Sequence, residues 1–393
     1  MRVRAGPERR RDDGTPGDRR AGCERSGGGF GIAVSPWAPD GGDRDLIFGI
    51  RLPPCATPQR VAESAALAEE CGFDFVWTMD SQLLAWRLMD PFVCLSACAR
   101  TTRRVKLGIA VCNPFTRHPA ATACGMVSLD QLSGGRSILG MGTGGSALRT
   151  IGSPLAKMEG AHTQRRKVLR ESVIFLKSLF SGGECAFQGV PMKLDVPLPT
   201  IPVYVSASGP KMLELAGELA DGIIIQSGID RRCVESALGH IEMGARKAGR
   251  SLEEIDLVAS TFCSLDEDRE LAVARGKPLA AWFYAAAPHL VELAGVKVSQ
   301  RQPAVKVFPD LFHPLDIEEA MEAASFIPDE AVERLCLVGR PDEALARVRE
   351  LESLGITQVF LRNYSTYTLP DDLIRPFGKH VIQPMKGLSA PTA

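Results

Sequence analysis

A chain of 393 residues, 45% hydrophobic and 24% charged, has an ordinary globular composition and enough apolar mass for a large core. Lys and Arg number 46 against 47 Asp and Glu, a formal net charge of -1, which argues against nucleic-acid or membrane-surface partners. No stretch approaches the roughly 20 consecutive apolar residues needed to cross a bilayer. The 11 cysteines are odd in number and contain no CxxC pair. Most of them, such as Cys71, Cys112, Cys124 and Cys263, lie in apolar runs. They read as small buried hydrophobes in a reducing, cytoplasmic setting rather than as a disulfide framework or a zinc site.

Residues 1–45 are rich in Arg, Asp, Gly and Pro, contain no Lys and show no apolar periodicity. They are expected to form a disordered N-terminal extension. Gly31 to Val34 is too short for the apolar core of about 7–15 residues that a secretory signal needs.

From Leu46 onward, short apolar runs alternate with longer amphipathic ones. Leu46–Leu52 reads as a strand. Thr57-Pro58 then supplies an N-cap and a first-turn proline for a helix to Cys71, which Gly72 stops. Strand Phe73–Thr78 follows, then helix Asp90–Arg100, strand Val105–Cys112, helix His118–Leu132 and strand Ser137–Gly142. A long helix over Thr163–Phe180 precedes a short hairpin at Phe187–Asp195. Strand Pro202–Ser206 and helix Lys211–Leu219 come next, then strand Gly222–Gln226, helix Asp230–Ala248 and strand Ile255–Phe262. Helices are expected from Asp266 to Ala287 and from Pro341 to Leu354, with a Pro-rich insert and a helix at Ile317–Ala324 between them. Strand Gln358–Leu361 and helix Asp371–Ile382 close the pattern.

Strands that are apolar on both faces and separated by helices imply a parallel sheet covered by helices. Eight such units predict an α/β fold, a (β/α)8 TIM barrel with insertion segments, over residues 46–385, followed by a tail at 386–393. Chemistry then belongs at the C-terminal strand ends. These are Pro53-Pro54, Asp80-Ser81-Gln82, Asn113-Pro114, Thr143-Gly144-Gly145, Ser206–Gly209, Ser227-Gly228 and Cys263-Ser264.

Gly140-Met-Gly-Thr-Gly-Gly145 fits GxGxxG, but it follows the fourth strand and no acidic residue ends the next one. It reads better as a strand end that a planar cofactor approaches closely. Ser206-Ala-Ser-Gly-Pro-Lys211 opens a helix whose N-terminal N–H groups suit an anion, and Ser227-Gly228 lies at the adjacent strand end. The simpler alternative is that Ser208 caps its helix. His118, just before Pro119, reads as a cap, and Arg117 as a cap or a substrate contact. Asp80 is a carboxylate at a buried strand end, either functional or structural. The remaining histidines show no HxxxH spacing and no GxSxG elbow is present, so neither a metal nor a serine triad is expected.

Two stretches, VCNPFTRHPAATACGMVSLDQLSGGRSILGMGTG (111–144) and VYVSASGPKMLELAGELADGIIIQSG (203–228), resemble the bacterial luciferase-like superfamily. Within it they are most similar to the methylenetetrahydromethanopterin reductases, which use an 8-hydroxy-5-deazaflavin coenzyme of the F-420 type. The likeness runs from about Phe48 to Leu361 and is weak between about 285 and 335. It implies a flavin-like ring lying over the sheet ends. Asp80 matches the family's aspartate at the end of strand two. Val111 and Asn113 match positions beside the ring, where relatives carry a bulge and a non-proline cis peptide, here expected near Ala110-Val111. Ser208-Gly209 and Ser227-Gly228 match the cofactor phosphate site, and Thr143 joins the cofactor-binding set. Asp80 and Asn113 are the candidate catalytic residues. Two departures stand out: Ser81 replaces a common histidine and Gly145 a common acid, which removes ionisable groups from the expected reaction site.

The resemblance implies a deazaflavin-dependent oxidoreductase that moves a hydride between the coenzyme's C5 and a small organic substrate. The alternatives are an FMN-dependent monooxygenase fed by a separate flavin reductase, and a non-catalytic flavin-binding paralogue. A homodimer is compatible with each, although no residue pattern specifies it.

Overall fold

A computed structural model describes residues 45–156, 158, 160–194, 200–297, 307, 310–311 and 313–387. The expected N-terminal extension, apart from Asp45, and residues 388–393 of the expected tail lie outside these.

Eight parallel strands close into a barrel: β1 (Ile47–Arg51), β2 (Phe75–Thr78), β3 (Lys106–Cys112), β4 (Ser137–Met141), β5 (Val203–Ala207), β6 (Gly222–Ile225), β7 (Asp256–Leu265) and β8 (Gln358–Asn363). Each pairs with the next, and the ring closes where Ile47 of β1 lies opposite Gln358 of β8. Helices separate the strands, and their starts follow from local chemistry. Asp90 accepts from the backbone N–H groups of Phe92 and Val93, and His118 Nδ1 accepts from that of Ala120. Pro91 and Pro119 occupy the first helical positions, where no N–H is missed. His118 is thus the cap its position suggested.

Inward-facing residues fill the barrel. Phe75, Trp77, Ile138, Tyr204, Ile224, Val258 and Phe360 form one interior cluster. The large rings fit because glycines face them. A Cβ at Gly108 would stand 2.3 Å from the Trp77 ring, and one at Gly222 would stand 2.5 Å from that of Tyr204. The Tyr204 hydroxyl donates to the buried Asp256 carboxylate. This packing plugs the barrel as in other closed (β/α)8 folds and leaves open space above it, at the C-terminal strand ends.

Several elements depart from expectation. β7 runs three residues past Phe262, because Cys263, Ser264 and Leu265 pair with an added strand at Leu337–Gly339. Helices at Pro288–Leu293 and Asp329–Leu335 lie inside the insert and were not anticipated. They pack with helix Arg269–Ala286 around a second core that includes Phe283, Val291, Val332 and Leu335. Cys124 is exposed rather than buried, because helix Pro119–Ser133 turns it away from the barrel. The hairpin at Cys185–Phe187 and Val190–Met192 is antiparallel, as expected. Among the described residues no helix is long and apolar enough to cross a membrane.

Candidate active site

A cavity of about 900 Å³ opens over the C-terminal strand ends. Of the anticipated residues, Asp80, Ser81, Ala110, Val111, Asn113, Thr143, Gly144, Gly145, Ser208 and Gly209 line it. Pro53, Pro54, Cys263, Ser264, Ser227 and Gly228 do not. For Ser227-Gly228 the reason is local. Gly228 turns at φ +77, and a Cβ there would lie 3.0 Å from Leu335, on a helix the sequence pattern did not reveal. Ser227 is fully buried and its hydroxyl donates to the Gly228 carbonyl at 3.3 Å.

β3 shapes one wall. Its register with β4 shifts between Ile109 and Cys112, and the Ala110–Val111 peptide is cis, at the position the resemblance indicated. The bulge explains the glycine motif. A Cβ at Gly140 would lie 2.5 Å from the Ile109 carbonyl oxygen, and one at Gly142 would lie 2.5 Å from Val111 Cγ2. Gly144 sits at φ +67, and a Cβ there would lie 2.6 Å from Asn113 Cγ. The glycines at 140, 142 and 144 therefore clear space for the swollen neighbouring strand and the turn that follows it, and Gly142 and Gly144 also line the cavity. Asn113 holds the turn that follows. Its side-chain oxygen accepts from the N–H groups of Phe115 and Thr116, and its amide donates to Thr116 Oγ1 at 2.9 Å.

Asp80 is 2% exposed and accepts from three donors: Gln82 Nε2 at 2.5 Å, Cys112 Sγ at 3.0 Å and Arg117 Nε at 3.3 Å. Burial, and then the nearby Asp80 charge, push the Cys112 thiol far up, so it remains a donor. Arg117 bridges Asp80 to Asp90 and lies over the Phe92 ring. It does not line the cavity. Burial opposes its charge, but the two carboxylates outweigh that effect.

Ser208 does not cap its helix. Gly209 occupies the N-cap of Pro210–Leu219 without a side-chain cap, and a Cβ there would meet nothing within 4 Å. The helix start is thus open to the cavity, with Ser208 and Lys211 beside it.

The wall also holds cations that sequence reasoning missed: Arg51, Arg149, Arg165, Arg166 and Arg362, against Asp80 as the acidic residue lining it. Arg165 is 5% exposed, faces His162 at 3.0 Å and has a buried, unpaired Nε. Burial, then repulsion from Arg149, lowers its pKa. Burial lowers that of Arg51 to about 10, with a partial opposing effect from Cys55. The pKa of Arg362 falls to about 9 through burial and then repulsion from Arg51. A signal for two of these was present in the sequence. Arg51 and Arg362 each interrupt an apolar strand run (IFGIR, QVFLR) at its C-terminal end, where an inward charge must meet something.

The chain matches the family model for luciferase-like monooxygenases over residues 35–358. It is 32% identical over 327 residues to the 5,10-methylenetetrahydromethanopterin reductase of Methanolobus tindarius, covering 80% of this chain and 93% of that protein. It is 31% identical to the F420-dependent glucose-6-phosphate dehydrogenase of Mycolicibacterium fortuitum, covering 77% of this chain and 87% of the relative. The solved coenzyme F420-dependent tetrahydromethanopterin reductase from Methanopyrus kandleri superimposes with a TM-score of 0.69 at 27% identity, covering 87% of this chain and 99% of that one. With the barrel, its bulged third strand and the cavity above it all in place, the chain belongs to the bacterial luciferase-like family.

Proposed function

We propose that this protein is a deazaflavin-dependent oxidoreductase of the coenzyme F-420 type, transferring a hydride between the coenzyme and a small organic substrate. The observation that carries the reading is a large cavity at the catalytic end of the barrel whose wall holds far more positive than negative charge. Such a wall suits an anionic, phosphate-bearing coenzyme. The residues present fit it. The uncapped start of helix Pro210–Leu219, with Ser208, Gly209 and Lys211, offers N–H groups and a cation to the phosphate. Arg165 and Arg166 add positive charge to the same wall, and Ala110, Val111 and Thr143 provide the surface against which a planar ring would rest. When bound, the coenzyme supplies hydride chemistry at C5.

Asp80 presents a fully bonded carboxylate, fixed by Arg117, that positions the β2 end. Neither Ser81 nor Gly145 can give the substrate a proton. An acceptor whose positive charge the hydride itself neutralises needs no proton from these two positions, whereas a ketone needs an acid. The relatives named reductases and dehydrogenases support this reading over the FMN-dependent monooxygenase.

Titrating the full chain separately with the deazaflavin and with FMN, following fluorescence quenching, tests it. The deazaflavin should bind more tightly, and a preference for FMN would favour the monooxygenase. Gly209→Asp adds a carboxylate where there is room for one, at φ -96, so folding should survive. Deazaflavin affinity should then fall at least tenfold, about 1.4 kcal/mol. An unchanged affinity in the folded variant would remove the phosphate assignment.

A further inference from the structure

Arg51 ends β1 and Arg362 is the penultimate residue of β8. The paired register of these neighbours ends at Ile50 opposite Leu361, so one further step sets the two arginines side by side. Phe360, two residues before Arg362, belongs to the barrel-interior cluster, so alternation turns both arginines inward, one layer higher. Both line the cavity.

Neither guanidinium makes an ion pair among the described residues. Arg51 is 6% exposed, and its one hydrogen bond is from Nη2 to the Asn363 carbonyl at 3.3 Å. The Nε atoms of both arginines are buried without a partner, as is the hydroxyl of Ser260, which lines the same wall. Arg362 lies over the Phe262 ring, 3.8 Å from its centroid, which holds the guanidinium in place without neutralising it. Two adjacent, uncompensated cations, one buried and one half-buried, are costly to keep, and an anion between them would relieve the cost. Phe262, Phe360 and Trp282 make the adjoining wall apolar.

We propose that Arg51 and Arg362 form the substrate's anion subsite, so that the molecule reduced or oxidised here is a small organic acid with an apolar body, held by its carboxylate or phosphate. The assignment rests on the deazaflavin reading and extends it. Ser208, Gly209 and Lys211 serve the coenzyme, in the turn after β5 and the first turn of the following helix, whereas Arg51 and Arg362 serve the substrate, on β1 and β8.

Calorimetric titration of the full chain, first saturated with deazaflavin, with benzoate and its neutral counterpart benzamide tests this. Benzoate should bind and benzamide should bind at least tenfold more weakly. Arg51→Met and Arg362→Met should each lower benzoate affinity at least tenfold while deazaflavin affinity stays within twofold. Arg51→Lys should retain part of the benzoate affinity. Because removing one of two repelling cations breaks no ion pair, the thermal midpoint of either methionine variant should hold or rise. A structural role would instead lower it, and that outcome would overturn the proposal. Equal binding of benzoate and benzamide, or benzoate affinity untouched by both substitutions, would also overturn it. So would deazaflavin affinity falling in parallel, because the pair would then belong to the coenzyme. Failure of the parent protein to bind deazaflavin is read in the first titration and counts against the coenzyme reading; repeating the benzoate series on the unloaded chain then decides the anion site separately.

Discussion

Gly145 stands at the position where an acid was expected from the resemblance, and its surroundings change what an acid would do there. A Cβ at Gly145 would have one close neighbour, Arg165 Nη1 at 3.8 Å. Burial alone would desolvate a carboxylate at this position and raise its pKa. In the structure it would find a guanidinium, which favours the charged form, so the expected direction reverses. Gly145→Glu is therefore expected to fold, to pair with Arg165 and to cancel one of the cavity's cations. Coenzyme affinity should drop about fivefold, roughly 1 kcal/mol, and turnover should fall with it rather than rise. Equilibrium titration with deazaflavin and steady-state rates on the same variant check this; a several-fold gain in turnover would show that the native reaction lacks a proton donor it can use. Such effects at single positions are hard to see in sequence because each depends on a residue distant along the chain. Gly144 needs glycine on account of Asn113, and Gly142 on account of Val111. Read from the motif alone, both resembled a cofactor turn.

Elements carry a second kind of coupling. Glu69, in the last turn of helix Pro58–Glu70, accepts from the backbone N–H groups of Arg103 at 3.0 Å, Arg104 at 2.6 Å and Val105 at 2.9 Å. It thereby ties the first helix to the entry of β3. Burial opposes the charge, but the three N–H groups outweigh it and the carboxyl pKa is lowered from 4.5. A depressed folded pKa stabilises fully above the unfolded value and loses that contribution as pH falls through the folded one. Glu69→Gln should then cost about 1 kcal/mol near neutral pH, allowing for partial exposure, and the deficit should shrink as pH falls below about 4.5. Urea unfolding at several pH values measures it; a deficit independent of pH would assign the loss to geometry rather than charge. Most elements were legible because propensity, caps and burial agree, as at Thr57, Asp90 and Asp230, each of which caps the helix it precedes. Helices Pro288–Leu293 and Asp329–Leu335 were not, since only six or seven residues each leave too little periodicity to read.

For the whole molecule, we expect removal of residues 1–44 to leave deazaflavin affinity and the thermal midpoint unchanged, because that segment lacks a core-forming pattern. Titration and thermal unfolding of the shortened chain test this, and a clear loss in either would mean that the segment docks on the barrel. The sequence by itself determined the alternation of strands and helices, the barrel that alternation implies and the strand ends where the site lies. Those features follow from local periodicity and capping, which neighbouring residues carry. The motifs at 111–144 and 203–228 pointed to the family by their resemblance to it. Only the tertiary structure decided which strand ends share one cavity. It left Ser227-Gly228 out of the cavity lining and brought in Arg51, Arg165 and Arg362. It also joined Asp80, Cys112 and Arg117 into one bonded group. The physical reason is that barrel closure sets β1 beside β8, about 310 positions apart in the chain, and the charge balance of the cavity exists only once that ring has closed.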